Sequence, residues 1–473
     1  MDDVEKVHQS QTLWNEDPSN PRNWTLFQRN YHTFMAAMIC FSISFSSTVY
    51  IPGSEHVATE FDVSRVTSIL PFSLFVLGMS FGPIIGAPLS ESLGRRPVYL
   101  ASVPGSALFL IGAGFSKSVS SLAVCRFLAG LIGSPALAIS AGGTVADLWA
   151  PEDRLLPLSL MLFGAFVGPA LGTLVGGFVA SARGWRWTIW TALFLSAATT
   201  ALIILMRETY HPAIMKRQDR KRTGFTNQPR LSLLVSRNNQ SAMANIFRPI
   251  HMLISEPVVI SFSFYTGVNF AVIYGFYASI PYTFAKTYDF NLQSQGLVFA
   301  AIVAGCAIAV PSLIYSGLLS QRVLRRSHLP EERGKQRRPE DVLFPAMVAS
   351  PFLPTSLFWF GWSAEKHVHW ICPVIAIAVY GWATFLVFNS CLFYLINVYG
   401  HLYGASAAAA NRLLSLLLGI AFPLFALPMY RNLGVGWASS LLGFMALILV
   451  PMPWIFYKHG AYLTAVSSYT RST

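Results

Sequence analysis

Charge is scarce in this chain. Only 11% of its 473 residues are Asp, Glu, Lys or Arg, and 53% are hydrophobic, whereas soluble domains carry about 25% charged residues. That balance excludes a soluble globular protein and points to a polytopic helical membrane protein. Cysteine is nearly absent. Cys40, Cys125, Cys306, Cys372 and Cys391 lie in or beside apolar runs, with neither metal-ligand spacing nor a secreted disulfide pattern, so they read as small apolar side chains. Acids are missing from the interiors of the apolar runs, and Glu91, Asp147 and Glu256 fall at helix ends. A membrane enzyme needs His, Cys or carboxylate groups gathered at one depth. No such cluster is visible, so neither an enzyme nor a bound cofactor or metal is expected. The net charge is +12, but the basic residues sit in a few loops rather than along one face, which fits membrane topology and not nucleic-acid binding. A cleavable signal peptide is also missing, because the first apolar run is a full span.

What the chain has in abundance is long apolar runs. A span takes roughly 20 mostly apolar residues, and twelve such runs follow a polar segment, 1–32, expected to be partly disordered: 33–52, 67–89, 98–115, 120–143, 156–181, 186–206, 255–282, 293–319, 342–361, 370–395, 408–430 and 435–457. The long basic interruption 207–254, with KRQDRKR at 216–222, divides them six and six. The expected organisation is a six-helix bundle over 33–206, a loop over 207–254, a second bundle over 255–457 and a tail over 458–473. With both termini inside the cell, inner segments hold 25 of the 33 Lys and Arg residues, one of them assigned to the segment between the tenth and eleventh spans. That bias fixes the orientation and leaves the sequons at 23–25 and 239–241 on the cytoplasmic side, unglycosylated. Two equal bundles suggest a transporter that rocks one half against the other around a central site.

One stretch, 122–143, carries a single charge, Arg126. A guanidinium in hydrocarbon costs a few kcal/mol or more, so Arg126 is expected to face a polar interior; the alternative is that it snorkels to a membrane face. The fifth span carries Gly164, Gly168, Gly172 and Gly176 every four residues, with Gly177 beside them and Pro169 in the middle. Such a stripe lets a neighbouring backbone come close, and the proline bends the helix. The second span has Gly78, Gly82 and Gly86. These rails are read as smooth surfaces and bend points for helices that slide as the bundles rock, with ordinary small-residue packing as the alternative. Between the second and third spans, APLSESLGRRP at 87–97 places Glu91 one turn before Gly94, Arg95 and Arg96, while Asp147 ends the fourth span and Arg154 follows it. Together these residues form a candidate salt-bridge clamp on the cytoplasmic side.

At these residues the chain resembles the major facilitator superfamily, and within it the fungal drug:proton antiporters with twelve helices. APLSESLGRRP resembles the signature loop after the second helix, CRFLAGLIGSP that of the fourth helix and GPALGTLVGG the exporter signature of the fifth. DPSNPRNW, GWRWTIW, ETYHP, RPEDVLFPAM, SAAAAN and FPLFALPMYRNLGVGWASSLLG are similar to fungal members. The chain departs from the family pattern at Ala87, Glu91, Ser92, Thr173, Val342 and Asn397, so a matching clamp in the second half is expected to be weaker. The resemblance implies an all-α major facilitator fold, with two six-helix bundles around a central cavity, and proton-coupled export of small organic molecules with Arg126 in the coupling or substrate site.

The other polar candidates for that site are Ser44, Ser47 and Tyr50 on the first span, Asn269, Tyr274 and Tyr277 on the seventh, and Asn389 and Tyr394 on the tenth. Tyrosines also populate interfacial belts, while a buried amide demands a partner. With no acid among them, the site favours an anion or a polar neutral ligand. The leading reading is an exporter of metabolites, toxins or drugs, monomeric, in the plasma membrane and driven by protons. Its variant is a uniporter or importer on the same fold. The rival class, a membrane sensor, would need a long signalling extension, and only about 15 residues follow the last span.

Overall fold

Side-chain caps and breaks in the backbone set the helix ends. Thr25 Oγ1 accepts from Gln28 N and starts α1 (Leu26–Thr48). Ser64 caps α2 (Arg65–Gly86), Ser118 caps α4 (Val119–Ile139) and Asn291 caps α8 (Leu292–Ser316) in the same way, each side chain satisfying an otherwise orphaned N–H. In the computed structural model the described residues are 14, 16–150, 153–223, 247–327, 339–467 and 469, and among them there is no strand. The remaining spans are α3 (Arg95–Gly114), α5 (Leu155–Arg183), α6 (Trp185–Ile204), α7 (Pro257–Tyr288), α9 (Pro339–Glu365) and α10 (Ile371–Gly400). The last apolar stretch, Tyr403–Gly460, is 58 residues long. Gly434, at φ 80° and ψ 167°, reverses the chain inside it, in a region open to glycine. The stretch is therefore two spans, α11 over 403–433 and α12 over 434–460, which makes twelve among the described residues.

The helices form two bundles, α1–α6 and α7–α12. In the first, α5 packs on α1, α2 on α4, and α3 on α4 and α6. The halves meet where α2 lies against α7 and α11, with Phe72 stacked on Tyr274 at 5.9 Å, and where α5 lies against α8. The outermost described residues, Trp14 and Tyr469, fall on one face, as an even number of spans requires, together with the turn at Gly94. On the opposite face Gly177 of α5 abuts Leu292 and Gly296 of α8. Between the halves there lies a small cavity of about 40 Å³, bordered by Tyr50's neighbours Ile51 and Pro52, by Ile69, and by Tyr277 and Leu427.

The glycine rails have a definite partner. A Cβ at Gly164, Gly168, Gly172 or Gly176 would sit 2.7, 2.8, 2.6 and 2.3 Å from the carbonyl oxygens of Ala37, Phe41, Phe45 and Val49. α5 thus lies backbone to backbone on α1, within its own half. Gly78, Gly82 and Gly86 seat α2 on α4 in the same manner, against Phe127, Ser134 and Pro135. Thr48 Oγ1 donates to the Pro169 carbonyl at 2.7 Å and pins the bend of α5 to the end of α1. Both rails are intra-bundle packing, and Gly177 alone of the α5 set faces the other half.

Within the amino-terminal segment, residues 16–25 fold into hydrogen-bonded turns; residues 1–13 lie outside the described residues. Asp17 Oδ1 accepts from the backbone and hydroxyl of Ser19, Asn20 Oδ1 accepts from Arg22 N, and Asn20 Nδ2 donates to the Trp14 carbonyl. Short polar side chains close these turns upon themselves. Trp14 then rests on His211, at 4.0 Å between ring centroids, and Gln218 donates to Ser19 Oγ, which fastens the helix His211–Thr223. At the other end of the chain, buried Ser467 lies beside Tyr399. The Tyr469 hydroxyl meets His251 Nδ1 at 2.9 Å, and its ring packs edge-on against Tyr403. The sequon at 239–241, Arg230, Arg237 and the basic residues 333–338 lie outside the described residues.

Candidate functional site

Arg126 sits two turns into α4 and is fully buried. Its side chain points into the bundle, which removes the snorkelling alternative. Nη1 donates to the Ser46 carbonyl and Nη2 to the Ser47 carbonyl, each at 2.6 Å. These belong to the last turn of α1, where carbonyls lack the N–H groups that a continuing helix would supply. They also carry the negative end of the helix dipole. α1 ends there because Tyr50, Ile51 and Pro52 turn away into a short 3₁₀ segment. The guanidinium carbon also lies 4.3 Å over the Phe75 ring and 5.5 Å from that of Tyr50, a favourable arrangement for a cation. Tyr50 is held by its hydroxyl, which donates to the Ser68 carbonyl at 2.7 Å. Arg126 is therefore a partnered structural cation at the end of α1, sealed from below by Phe72 and Tyr274, rather than a charge facing open water.

A second arginine belongs to this region. The sequence count placed Arg412 in the loop before the eleventh span. The structure corrects this: α11 begins at Tyr403, and Arg412 lies well inside it. The run of alanines at 407–410 extends the helix past the expected boundary. The Arg412 guanidinium carbon is 5.0 Å from the Phe270 ring centroid and 5.9 Å from that of Phe388. It lies within electrostatic reach of the Tyr274 hydroxyl and, across the boundary between halves, of Cys40 on α1. Tyr274 is also beside Ser47, so one tyrosine stands between the two arginines. Phe166 of α5 packs against Phe270, Phe385 and Phe388 at 5.6, 5.4 and 5.2 Å, closing an aromatic layer across the two halves. The orientation bias of the basic residues survives without Arg412. The signal for it was the Asn411-Arg412 pair within an otherwise apolar run.

The other expected residues divide. Tyr277 stacks on Phe299 and meets Tyr274 edge-on at 5.8 Å. Asn269 Nδ2 donates to the Tyr265 carbonyl, and its own carbonyl accepts from the Tyr380 hydroxyl. Asn389 Nδ2 donates to the Phe385 carbonyl and leaves a buried Oδ1 without a partner. Ser47 Oγ donates to the Ser44 carbonyl at 2.6 Å, so its contribution to Arg126 is through the backbone. Tyr394 lies apart, packed between Phe262 and Phe456 and near Glu340 on the termini-bearing side of the second half. Asn411 donates to Thr266 Oγ1 at 2.8 Å, which holds α11 to α7 beside Arg412.

The clamp residues assemble around an acid that sequence reading passed over. Glu208, from ETYHP, is buried and accepts from the backbone N–H groups of Arg95 and Arg96 at 2.8 and 3.1 Å. It is the cap of α3. A Cβ on Gly94, at φ 97°, would lie 2.6 Å from that carboxylate, so glycine is required there twice over. Arg95 Nε pairs with Asp147 at 3.1 Å, Nη1 donates to Ser90 Oγ, and the guanidinium faces the Tyr210 ring. After α4 a π-helical turn, Ser140–Thr144, includes Gly143, whose missing side chain makes room for Arg95. Burial lifts the Asp147 carboxyl above the usual carboxylate range, while Arg95 pulls it back. Glu91 lies near Tyr210, and Arg154 donates to the Trp149 and Ala146 carbonyls, closing the end of the fourth helix rather than joining Asp147. The partners named for this cluster lie in the first half or in the segment just after it. In the second half Glu256 accepts from the Tyr399 hydroxyl at 2.9 Å. Among the described residues no group of three His, Cys, Asp or Glu side chains could hold a metal.

Comparison with known proteins places this arrangement. The family model described as Major Facilitator Superfamily matches residues 34–423. Fluconazole resistance protein 1 of Saccharomyces cerevisiae is 36% identical over 99% of this chain and 86% of its own length. Efflux pump FUBT of Fusarium oxysporum is 35% identical over 94% of this chain and 75% of its own. Polyamine transporter 4 of Saccharomyces cerevisiae is 31% identical over 96% and 72%. Among solved structures, the proton:xylose symporter XylE bound to 6-bromo-6-deoxy-D-glucose aligns with a TM-score of 0.64 at 16% identity, over 92% of this chain and 97% of that one. A partially occluded inward-open conformation of XylE from E. coli aligns at 0.61, over 90% and 99%.

Proposed function

The chain belongs to the Major Facilitator Superfamily, and from that premise we propose that it is a secondary active transporter that exports small organic molecules by alternating access, driven by the proton gradient. The single observation that carries this reading is the closure of one face of the boundary between the halves. Gly177 against Gly296 and Phe72 against Tyr274 close the face opposite the termini. Two arginines and an aromatic layer lie behind that closure. A transporter needs one closed face and a site behind it, and the pairing of two bundles supplies both. Relatives named as efflux pumps and a drug-resistance protein support export.

In this reading the termini-bearing face is cytoplasmic, the membrane is the plasma membrane, and the working unit is a monomer. The ligand is neutral or anionic rather than a polyamine, because the span interiors present arginine and no carboxylate. Proton coupling would then fall to acids at helix ends, of which Asp147 and Glu256 are buried by their partners. A uniporter or importer on the same fold is the variant, and no residue pattern here favours enzymatic turnover or sensing.

The test is flux in vesicles reconstituted with the full chain. Compounds are screened against cells lacking the protein, and a hit is followed under an imposed pH gradient. Accumulation on the acidic side is expected. Flux that ignores the gradient and runs only downhill would leave the uniport variant, and no flux of any compound would reject transport.

A further inference from the structure

Arg126 and Arg412 differ in one respect that matters for chemistry. Arg126 has two carbonyl acceptors and no exposure. Arg412, among the described residues, donates no hydrogen bond, and the residue is half-buried. Its neighbours Phe270 and Phe388, and Cys40 of the other half within electrostatic reach, are all buried. A guanidinium offers five N–H donors. Ring faces offset part of its desolvation but accept none of those donors in the plane of the fork. No acid can fold back onto it from its own end of the chain, since residues 366–473 contain neither Asp nor Glu. The groups facing it from α7 and α1 are the Tyr274 hydroxyl and the Cys40 thiol, not carboxylates. A buried cation left without an anion is strongly disfavoured, and it stands here at the boundary that an alternating transporter must open.

We propose that Arg412 receives the acidic group of the transported molecule, and that the substrate class is organic anions with a flat aromatic body. This rests on the transport reading and adds its ligand. A carboxylate or sulfonate matches the planar fork of a guanidinium in a two-bond contact. The body of such a ligand packs on Phe270 and Phe388 beside the guanidinium, and it enters as the halves part and draw these rings away from Phe166, which they meet here at 5.2–5.6 Å. Aromatic faces and edges of this kind select flat apolar groups. The head of the ligand is then held by the second half and its body is shared with the first, which gives each half a different hold on the same molecule.

Binding is measured by equilibrium dialysis on the purified full chain with three probes of one shape: naphthalene-2-sulfonate, naphthalen-2-ylmethanol and naphthalen-2-ylmethylammonium. The sulfonate is expected to bind at least tenfold more tightly than the ammonium. Arg412→Gln is expected to erase that preference, Arg412→Lys to retain part of it, and Arg431→Gln, at an exposed position, to leave it in place. Equal affinity of the three probes for the unaltered chain, or a preference that persists in Arg412→Gln, overturns the proposal. If Arg412→Gln does not yield monodisperse protein, Phe270→Leu is used. It is expected to weaken naphthalene-2-sulfonate at least fivefold relative to methanesulfonate, and an unchanged ratio counts against the site. The two readings separate cleanly. Gradient-driven flux of a neutral compound with no advantage for the sulfonate leaves transport standing and removes this proposal. Sulfonate preference with no flux of any compound does the reverse.

Discussion

Gly177 of α5 and Gly296 of α8 meet across the boundary between the two halves, and a Cβ on Gly177 would fall 3.3 Å from the Gly296 Cα and 2.9 Å from the Leu292 carbonyl. The other glycines of the same helix press on α1 inside one bundle. Two neighbouring positions on one helix, Gly176 and Gly177, thus serve different contacts.

That difference is testable by substitution. Gly172→Leu would drive a side chain into Thr48 Oγ1 and the Phe45 carbonyl, 2.5 and 2.6 Å from its Cβ, and the expected result is loss of folded protein. Gly177→Leu is expected to leave the chain folded and monodisperse while slowing turnover at least fivefold, because it props open the far face. Purified yield and vesicle flux of the two variants decide the matter. Full turnover in Gly177→Leu would show that this contact does not need to close.

Replacement of Arg126 addresses its role as a partner of α1. Arg126→Gln leaves the Ser46 and Ser47 carbonyls without two charged donors, and a buried orphaned acceptor costs about 1–3 kcal/mol. A fall in the unfolding midpoint in detergent is expected, together with loss of flux. Arg126→Lys keeps the charge but cannot present the planar fork, so it should recover stability only in part. An unchanged midpoint in Arg126→Gln would mean that water replaces the guanidinium without cost.

Glu208 caps α3 through two backbone N–H groups, and N-terminal caps are worth about 0.5–2 kcal/mol. Glu208→Ala should lower stability by an amount of that order, with Glu208→Gln intermediate because an amide oxygen still accepts. The comparison is made by thermal unfolding of both variants. Equal midpoints for Glu208→Ala and the unaltered chain would remove the cap from the account.

Asp147 offers a dependence on pH with a definite sign. Burial raises its carboxyl above the ordinary range, which lies near 3.9 for aspartate. The folded state therefore binds the proton more readily than the unfolded one, and the cost of the ionised form is present at neutral pH and relieved as pH falls through the raised value. Arg95 keeps Ser90 and the Tyr210 ring as neighbours if the charge is lost. Asp147→Asn is therefore expected to unfold no earlier than the unaltered chain at pH 7, with the two converging toward pH 4. A marked loss of stability in the variant at pH 7 would show that the pair with Arg95 outweighs burial.

Much of this was readable from residue order. Twelve spans, two halves, the inward arginine of α4 and the rails of α2 and α5 all follow from local pattern, since apolar length, a lone charge and a four-residue repeat are properties of one segment. What escaped was set by distance along the chain. Glu208 meets Arg95 across more than a hundred residues, and nothing in ETYHP alone announces a cap. Arg412 was counted with the loop residues although the run 408–430 contains it, because it stands near the start of that run, directly after alanines that read equally well as loop or helix. Arg126 was recognised as inward-facing, but its partners, two main-chain oxygens, leave no mark in side-chain identity.

The carboxyl-terminal residues bear on how the protein is to be handled. Ser467 and Tyr469 are tucked against Tyr399, Tyr403 and His251, so this end is part of the wall of the second bundle. A fluorescent reporter joined directly after Gly460 would displace that wall. Reporters and affinity handles are better carried beyond Tyr469 on a spacer, or ahead of Trp14.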